Sequence, residues 1–351
     1  MILHISHLNK FIVPFIELVK TEFPGQDHQF WLSGAKRLDQ FALEPDKHLH
    51  FDKRTYSDRL LSNVKLFIML NRADKVILHG LNRRAMKFLL LQPSLLKKCY
   101  WIIRGADLYK YQEPRHGFKD RLRERQRAFV IRRMGNLVTY IPGDVELARQ
   151  WYGATGKYQE CLLYMSNVAD PRLIYFANDN RRNGSRLRIL VGNSSDPSNN
   201  HEEVFEKLRC YKDSDIEVHV PLSYGDREHA AKVLSLGREL FGDKFFPLTR
   251  FMGFNDYLEL LSTMDIAVFN HNRQQAMGNT IALLGLAKTV YMRSDVTQWD
   301  VFQRLGLSLR PVSDLSLSLI PEAERRQNSN IVLSQFSREK LVQQLSDIFR
   351  N

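Results

Sequence analysis

Residues 265–279 read Asp-Ile-Ala-Val-Phe-Asn-His-Asn-Arg-Gln-Gln-Ala-Met-Gly-Asn, an order that suits the binding of an anion. The apolar run from Ile266 to Phe269 fits a buried strand, and the apolar run from Thr280 to Leu286 fits a helix. Where a helix begins, backbone N–H groups lack intrahelical partners and the helix dipole favours negative charge. His271, Arg273, Gln274, Gln275 and Asn279, with Gly278 among them, place donors there that would suit a diphosphate. The competing reading is an ordinary strand-loop-helix connection with a solvated polar loop.

A second stretch has the same character. After the apolar run Ile189 to Val191, Gly192 would let backbone approach a ligand closely, and Asn193 and Ser194 offer amide and hydroxyl donors. The small polar run continues to His201 and is longer than a simple helix cap requires. A third loop, Pro247 to Phe254, carries a cation, Arg250, and an aromatic ring, Phe251, that would either stack on a nucleobase or sit in the core. By order of strands, the first two loops follow the first and fifth strands of the second half.

The elements that must hold these loops follow from periodicity. In the first half, apolar runs at Ile2 to Ile5, Gln29 to Leu32, Lys75 to His79, Tyr100 to Ile103 and Leu137 to Ile141 alternate with helical patterns. The pattern restarts at Leu187, with strands expected at 187–191, 216–220, 245–248, 266–269 and 289–292. The polar stretch 176–187 between the halves is the expected linker. This predicts two doubly wound α/β domains, 1–178 and 186–335, with a closing helix at 336–351 that could pack back on the first. Ligands of such sheets bind beyond the carboxyl ends of the strands.

The bulk numbers bound the partners. At 351 residues, two domains are the natural division. No run reaches the ~20 apolar residues of a membrane span, and no signal-peptide pattern opens the chain, so a cytoplasmic location is expected. The three cysteines, Cys99, Cys161 and Cys210, are far apart, which predicts reduced thiols and no structural zinc. The net charge is +12, densest from Arg115 to Met134. That segment fits a basic amphipathic helix, which could be a solvated face, rest on anionic lipid, or bind nucleic acid. No Gly-x-Gly-x-x-Gly, P-loop, zinc-finger, helix-turn-helix or RNA-recognition pattern occurs.

Val191-Gly192-Asn193-Ser194-Ser195-Asp196-Pro197-Ser198-Asn199-Asn200-His201 together with Phe269-Asn270-His271-Asn272-Arg273-Gln274-Gln275-Ala276-Met277-Gly278-Asn279 resembles glycosyltransferase family 56. The likeness runs over most of the chain and is strongest in its second half. It implies a GT-B architecture, two Rossmann-like domains facing a central cleft, with the nucleotide sugar held by the second and the acceptor by the first. It further implies transfer of a 4-acetamido-4,6-dideoxygalactose (N-acetylfucosamine) unit from a TDP-sugar to a polyprenyl-diphosphate-linked saccharide of enterobacterial common antigen. The implied site of action is the cytoplasmic face of the bacterial inner membrane, as a peripheral protein at its anionic surface, with no nucleic acid partner.

Neither cofactor nor metal is expected. Metal-dependent sugar transferases close a strand with Asp-x-Asp, whereas here Asp213-Ser214-Asp215 precedes a strand and reads as a helix-to-strand turn. Helix N-termini, loop amides and Arg273 would neutralise the leaving diphosphate instead. An inverting reaction would also need a base for the acceptor hydroxyl. The first-half candidates at strand ends are Asp107, His7 and His79, each equally readable as a capping Asp or a satisfied His; a retaining reaction would need no strong base. A basic nucleic-acid-binding protein and a nucleotide-sugar-binding module without activity are the other classes compatible with the composition.

Overall fold

The computed structural model describes residues 1–34, 43–44, 46–52, 56–173, 175 and 186–350. Most of the expected linker, 176–185, lies outside the described residues. The chain forms two compact units, Met1–Ser166 with Arg338–Asn351, and Asn167–Ser337.

The first unit is built on a seven-stranded parallel sheet in the order β3-β2-β1-β4-β5-β6-β7. Its strands are β1 (Ile2–His7), β2 (His28–Ser33), β3 (Leu49–Phe51), β4 (Lys75–His79), β5 (Cys99–Ile102), β6 (Asn136–Thr139) and β7 (Lys157–Glu160). Its helices are α1 (Ile12–Glu22), α2 (Tyr56–Arg72), α3 (Arg83–Leu91), α4 (Phe118–Arg132) and α5 (Pro142–Tyr152). The central strands β1, β4 and β5 are almost wholly buried because helices cover both faces, so they read as largely apolar runs, interrupted in β1 by the buried His4 and Ser6. The edge strand β7, Lys-Tyr-Gln-Glu, has no such run, and hydrophobicity alone gave no sign of it.

The second unit carries a six-stranded parallel sheet in the order β10-β9-β8-β11-β12-β13. Its strands are β8 (Leu187–Val191), β9 (Ile216–Pro221), β10 (Phe245–Leu248), β11 (Ile266–Phe269), β12 (Thr289–Met292) and β13 (Arg310–Pro311). Its helices are α6 (His201–Leu208), α7 (Arg227–Phe241), α8 (Phe254–Ser262), α9 (Met277–Gly285), α10 (Thr297–Arg304) and α11 (Glu322–Gln335). Strand β11 is the fourth strand of this unit, not the fifth, and it pairs directly with β8. The chain winds outward from β8 through β9 to β10, then crosses back to β11, so the switch point lies between β8 and β11.

The units divide at Ser166, upstream of residue 178. The stretch after it is tied into the second unit: the amide of Ala169 donates to the carbonyl of Phe336 at 2.8 Å. Leu173 packs against Gly285, whose missing side chain makes the room. The last helix, α12 (Arg338–Arg350), belongs to the first unit. Its final carbonyls, those of Ile348 and Phe349, accept hydrogen bonds from Lys75 Nζ at 2.9 and 2.8 Å, as a cation at a helix C-terminus should.

Candidate active site

Two helices of the second unit start beside the β8/β11 switch point. Both have a non-glycine residue in the left-handed region at the N-cap: Asn200 (φ 49°) before α6 and Ala276 (φ 58°) before α9. For alanine this conformation is unfavourable by about 1–2 kcal/mol. Such local strain gathers at ligand sites, where the surroundings over-determine the backbone.

The loops around those helix starts form one hydrogen-bonded network. Gln275 is its hinge: Nε2 donates to Asn193 Oδ1 at 2.8 Å, Oε1 accepts from Ser198 Oγ at 2.6 Å, and the amide donates to Gln298 Oε1 on α10 at 2.9 Å. Asn199 is buried and works on both sides. Its Oδ1 accepts from the amide of Asn193 and from His271 Nε2, each at 2.9 Å, while its Nδ2 donates to the carbonyl of Asp196 at 2.8 Å. This fixes the His271 tautomer, with the proton on Nε2 and the lone pair on Nδ1. His271 Nδ1 and His201 Nε2 are both buried with no hydrogen-bond partner among the described residues. Burial first, then the neighbouring charge of Arg273, pushes His271 down to about 3. His201 is pushed to about 3 by burial and then by His229.

Gly192 makes the close approach possible. Its φ is +68°, and a Cβ there would lie 2.7 Å from Asn199 Oδ1 and 2.8 Å from His201 Nε2. Arg273 supplies the cation. Nη2 bonds Asp196 Oδ2 at 3.2 Å and Nη1 bonds the carbonyl of Gln274 at 3.3 Å. Burial raises the Asp196 carboxyl, but Ser198 and then Arg273 outweigh it and hold it below the usual range. An arriving phosphate would compete with Asp196 for the guanidinium fork.

Several residues of this network were not singled out by the sequence reading. Asp196, Ser198 and Asn199 sit inside a stretch that was read, but only for Gly192 to Ser194. Tyr224, in the loop after β9, accepts from Asn193 Nδ2 at 3.1 Å, and Tyr257 on α8 accepts from Asn279 Nδ2 at 2.8 Å. Both tyrosines and Gln298 stood in loops or helices with no motif to mark them. The available signal was topological: each flanks the carboxyl end of a parallel strand.

The sequence-expected residues divide accordingly. Gly192, Asn193, Ser194, His271, Arg273, Gln274 and Gln275 converge in the loops after β8 and β11, and Gly278 and Asn279 lie in the first turn of α9. Arg250 and Phe251 follow β10, the edge strand, which is separated from β11 by β9 and β8. Phe251 is 69% exposed, so it is not a core residue. Asp215 ion-pairs with Arg186 at 2.9 Å where β9 begins, the end of the sheet opposite these loops.

In the first unit, His79 does not reach a ligand surface. It is buried in a chain of side chains from Tyr164 OH to His79 Nδ1 (2.8 Å), His79 Nε2 to His4 Nδ1 (3.2 Å), His4 Nε2 to His28 Nδ1 (3.0 Å) and His28 Nε2 to Gln26 Oε1 (3.2 Å). Neutral rings satisfy every link when the protons all point from Tyr164 toward Gln26. Burial, with Arg104 adding, pushes His79 down to about 3. Asp107 clamps two loops: Oδ1 accepts from the amide of Arg104 at 3.0 Å, and Oδ2 accepts from Trp101 Nε1 at 2.8 Å and from the amide of Leu81 at 3.2 Å. His7, at the end of β1, is exposed, with Nδ1 2.5 Å from Ser33 Oγ. Near it, Lys10 Nζ and the Arg104 guanidinium both lie over the Phe11 ring, at 5.2 and 5.3 Å from its centre.

Two parallel, doubly wound units of this kind are the GT-B architecture of glycosyltransferases. Solved structures agree on the fold. A glycosyltransferase from Rickettsia africae superposes with a TM-score of 0.63 at 14% identity, over 99% of this chain and 97% of that one. Anabaena HepE in complex with UDP gives 0.68 at 10% identity, over 99% of both chains. Sucrose-phosphate synthase from Thermosynechococcus elongatus gives 0.66 at 10% identity, over 100% of this chain and 98% of that one. Residues 2–333 match the family described as 4-alpha-L-fucosyltransferase, glycosyl transferase group 56, and the chain belongs to that family. It is a hexosyltransferase-type enzyme.

Proposed function

We propose that this enzyme transfers a 4-acetamido-4,6-dideoxygalactose unit from a TDP-sugar to a polyprenyl-diphosphate-linked saccharide at the cytoplasmic face of the bacterial inner membrane, without a metal ion or other cofactor. The observation that carries the donor half is the network at the β8/β11 switch point. The two helix starts and Arg273 meet where Gly192 lets backbone come close. A diphosphate set there gains charge as the glycosidic bond breaks, and donors aimed at that charge lower the barrier. The UDP held by the similar fold of HepE supports a nucleotide-sugar donor. The family description, a fucosyltransferase, supports a deoxyhexose as the sugar.

On the acceptor side, His7 is the best placed of the three base candidates, because it alone is exposed and its ring is oriented by Ser33. His79 and Asp107 serve the fold. Lys10 and Arg104, drawn over Phe11 at the same strand ends, would receive the acceptor's phosphate. A thermal-shift screen against TDP, UDP, GDP and CMP, with and without Mg²⁺, tests base choice and metal independence together. The expected result is a TDP-specific rise in melting temperature that EDTA leaves unchanged. A rise that requires Mg²⁺, or that is larger with another nucleotide, contradicts the proposal.

A further inference from the structure

Helix α2 turns an apolar face to solvent. Leu60, Leu61, Val64, Phe67 and Ile68 are 63%, 69%, 50%, 41% and 43% exposed. At 100° per residue they occupy one arc of about 120°, directly opposite the arc of Leu66, Met69 and Leu70 that is buried against the sheet. Single exposed apolar residues are ordinary, but five on one helical stripe are not. The stripe borders an open groove of ≈ 410 Å³, lined among others by Leu61, Val64, Ile68, Lys65 and Arg72.

The surroundings are basic. Lys65 and Arg72 flank the stripe on one side. On the other, α3 lies alongside α2, with Arg84 Nε bonded to Asn63 Oδ1 at 2.8 Å and Gln92 Nε2 to Asn71 Oδ1 at 2.9 Å. Helix α3 presents Arg83, Lys87 and Leu91 outward, with Leu91 79% exposed. From residue 59 to residue 106 the sequence has a single acidic residue, Asp74, and its carboxylate is held by the chain's own N-terminus at 2.7 Å. A second copy of the chain would set like charges against each other here. A planar anionic surface with an apolar interior matches both features.

We propose that α2 lies flat in the headgroup region of an anionic bilayer, with Leu60, Leu61, Val64, Phe67 and Ile68 inserted and Lys65, Arg72, Arg83 and Lys87 on the lipid phosphates. The insertion point is therefore α2, while the basic helix α4, packed on α3, contributes further charge. This deepens the lipid-facing part of the proposed function, and a binding assay without donor or acceptor tests it apart from sugar transfer.

The full-length protein is floated with vesicles of phosphatidylglycerol and phosphatidylethanolamine, and with phosphatidylcholine vesicles as the neutral control. The wild type is expected to float with the anionic vesicles and lose that binding as salt rises. The double variant Leu61→Glu, Ile68→Glu is expected to bind at least tenfold more weakly, with an unchanged circular dichroism spectrum and melting temperature, since both side chains face solvent. The double variant Lys65→Gln, Arg72→Gln is expected to bind several-fold more weakly with a shallower salt dependence. Vesicle binding of the folded Glu variant equal to wild type overturns the proposal. So does a wild type that ignores anionic vesicles, or sedimentation showing a dimer that the Glu variant makes monomeric.

Discussion

The two sheets share a winding plan, yet their buried histidines are furnished in different ways. In the first unit the buried imidazoles of His4, His28 and His79 each have a partner at both ring nitrogens, and Asp107 has three donors on its carboxylate. In the second unit His201 and His271 are equally buried, yet each keeps a ring nitrogen with no partner among the described residues, beside two left-handed N-caps and a glycine. A buried polar atom without a partner carries a cost of about 1–3 kcal/mol. The contrast teaches that strand-end position alone does not make a site: side chains and amides of the first unit already occupy His79 and Asp107, whereas His201 and His271 each keep a ring nitrogen without a partner among the described residues.

The sharpest break of this comparison is Arg273→Ala. Turnover at saturating donor should fall about 10²- to 10³-fold, the usual loss for a donor aimed at developing charge. The melting temperature should stay within a few degrees of wild type, because Asp196 keeps Ser198 as a partner at 2.9 Å. Unchanged turnover would remove Arg273 from the mechanism.

Acid should test the imidazole chain next. His28 is pushed to about 4 and His79 to about 3 in the folded protein, both mainly by burial, against an ordinary value near 6.5. Below pH 6.5 the unfolded chain binds more protons than the native one, so stability is fully present above pH 6.5 and declines as pH falls through 4 and 3. Each such group contributes a slope of roughly 1.4 kcal/mol per pH unit in that window. Urea unfolding between pH 4.5 and 8 should show the decline, and His28→Gln should lower its slope by about one proton. An unaltered slope in that variant contradicts the assignment.

Two glycines sharpen the contrast further. Gly192→Ala should cost about 1–3 kcal/mol and weaken nucleotide binding, because its Cβ would meet Asn199 and His201 inside ordinary contact distance. Gly80, in the first unit, also has positive φ (+88°), but the nearest atom to its would-be Cβ is Asp107 Oδ2 at 3.5 Å. Gly80→Ala should therefore cost only the conformational strain, about 1–2 kcal/mol, and leave nucleotide affinity unaltered. Titration calorimetry and urea unfolding on both variants separate these outcomes.

Much of the fold could be read from the chain because parallel strands covered on both faces are mostly apolar. Runs such as Ile266–Phe269 and Lys75–His79 announce themselves for that reason. The edge strands β3, β7 and β13 are short or polar, and α11 is largely polar, so hydrophobic periodicity passed over them. The same physics explains the site. Gly192, Asn193, His271, Arg273 and Gln275 were visible because polar residues crowd directly after apolar runs. Tyr224, Tyr257 and Gln298 were not, because only the three-dimensional pairing of β8 with β11 brings their loops and helices together. His79 in the first unit shows the converse. A histidine at the end of a buried strand looks available in sequence, and the partners that occupy His79 come from β1 and from Tyr164.

The central claim is that the β8/β11 switch point grips a nucleotide diphosphate through backbone amides and Arg273. A crystal structure of the protein grown with TDP in EDTA tests it most directly. The account predicts both phosphates within hydrogen-bond reach of the first-turn amides of α9 and of the Arg273 guanidinium, with Asp196 displaced from it. Phosphates bound at the strand ends of the first unit, or TDP density that appears only when Mg²⁺ replaces EDTA, would contradict it.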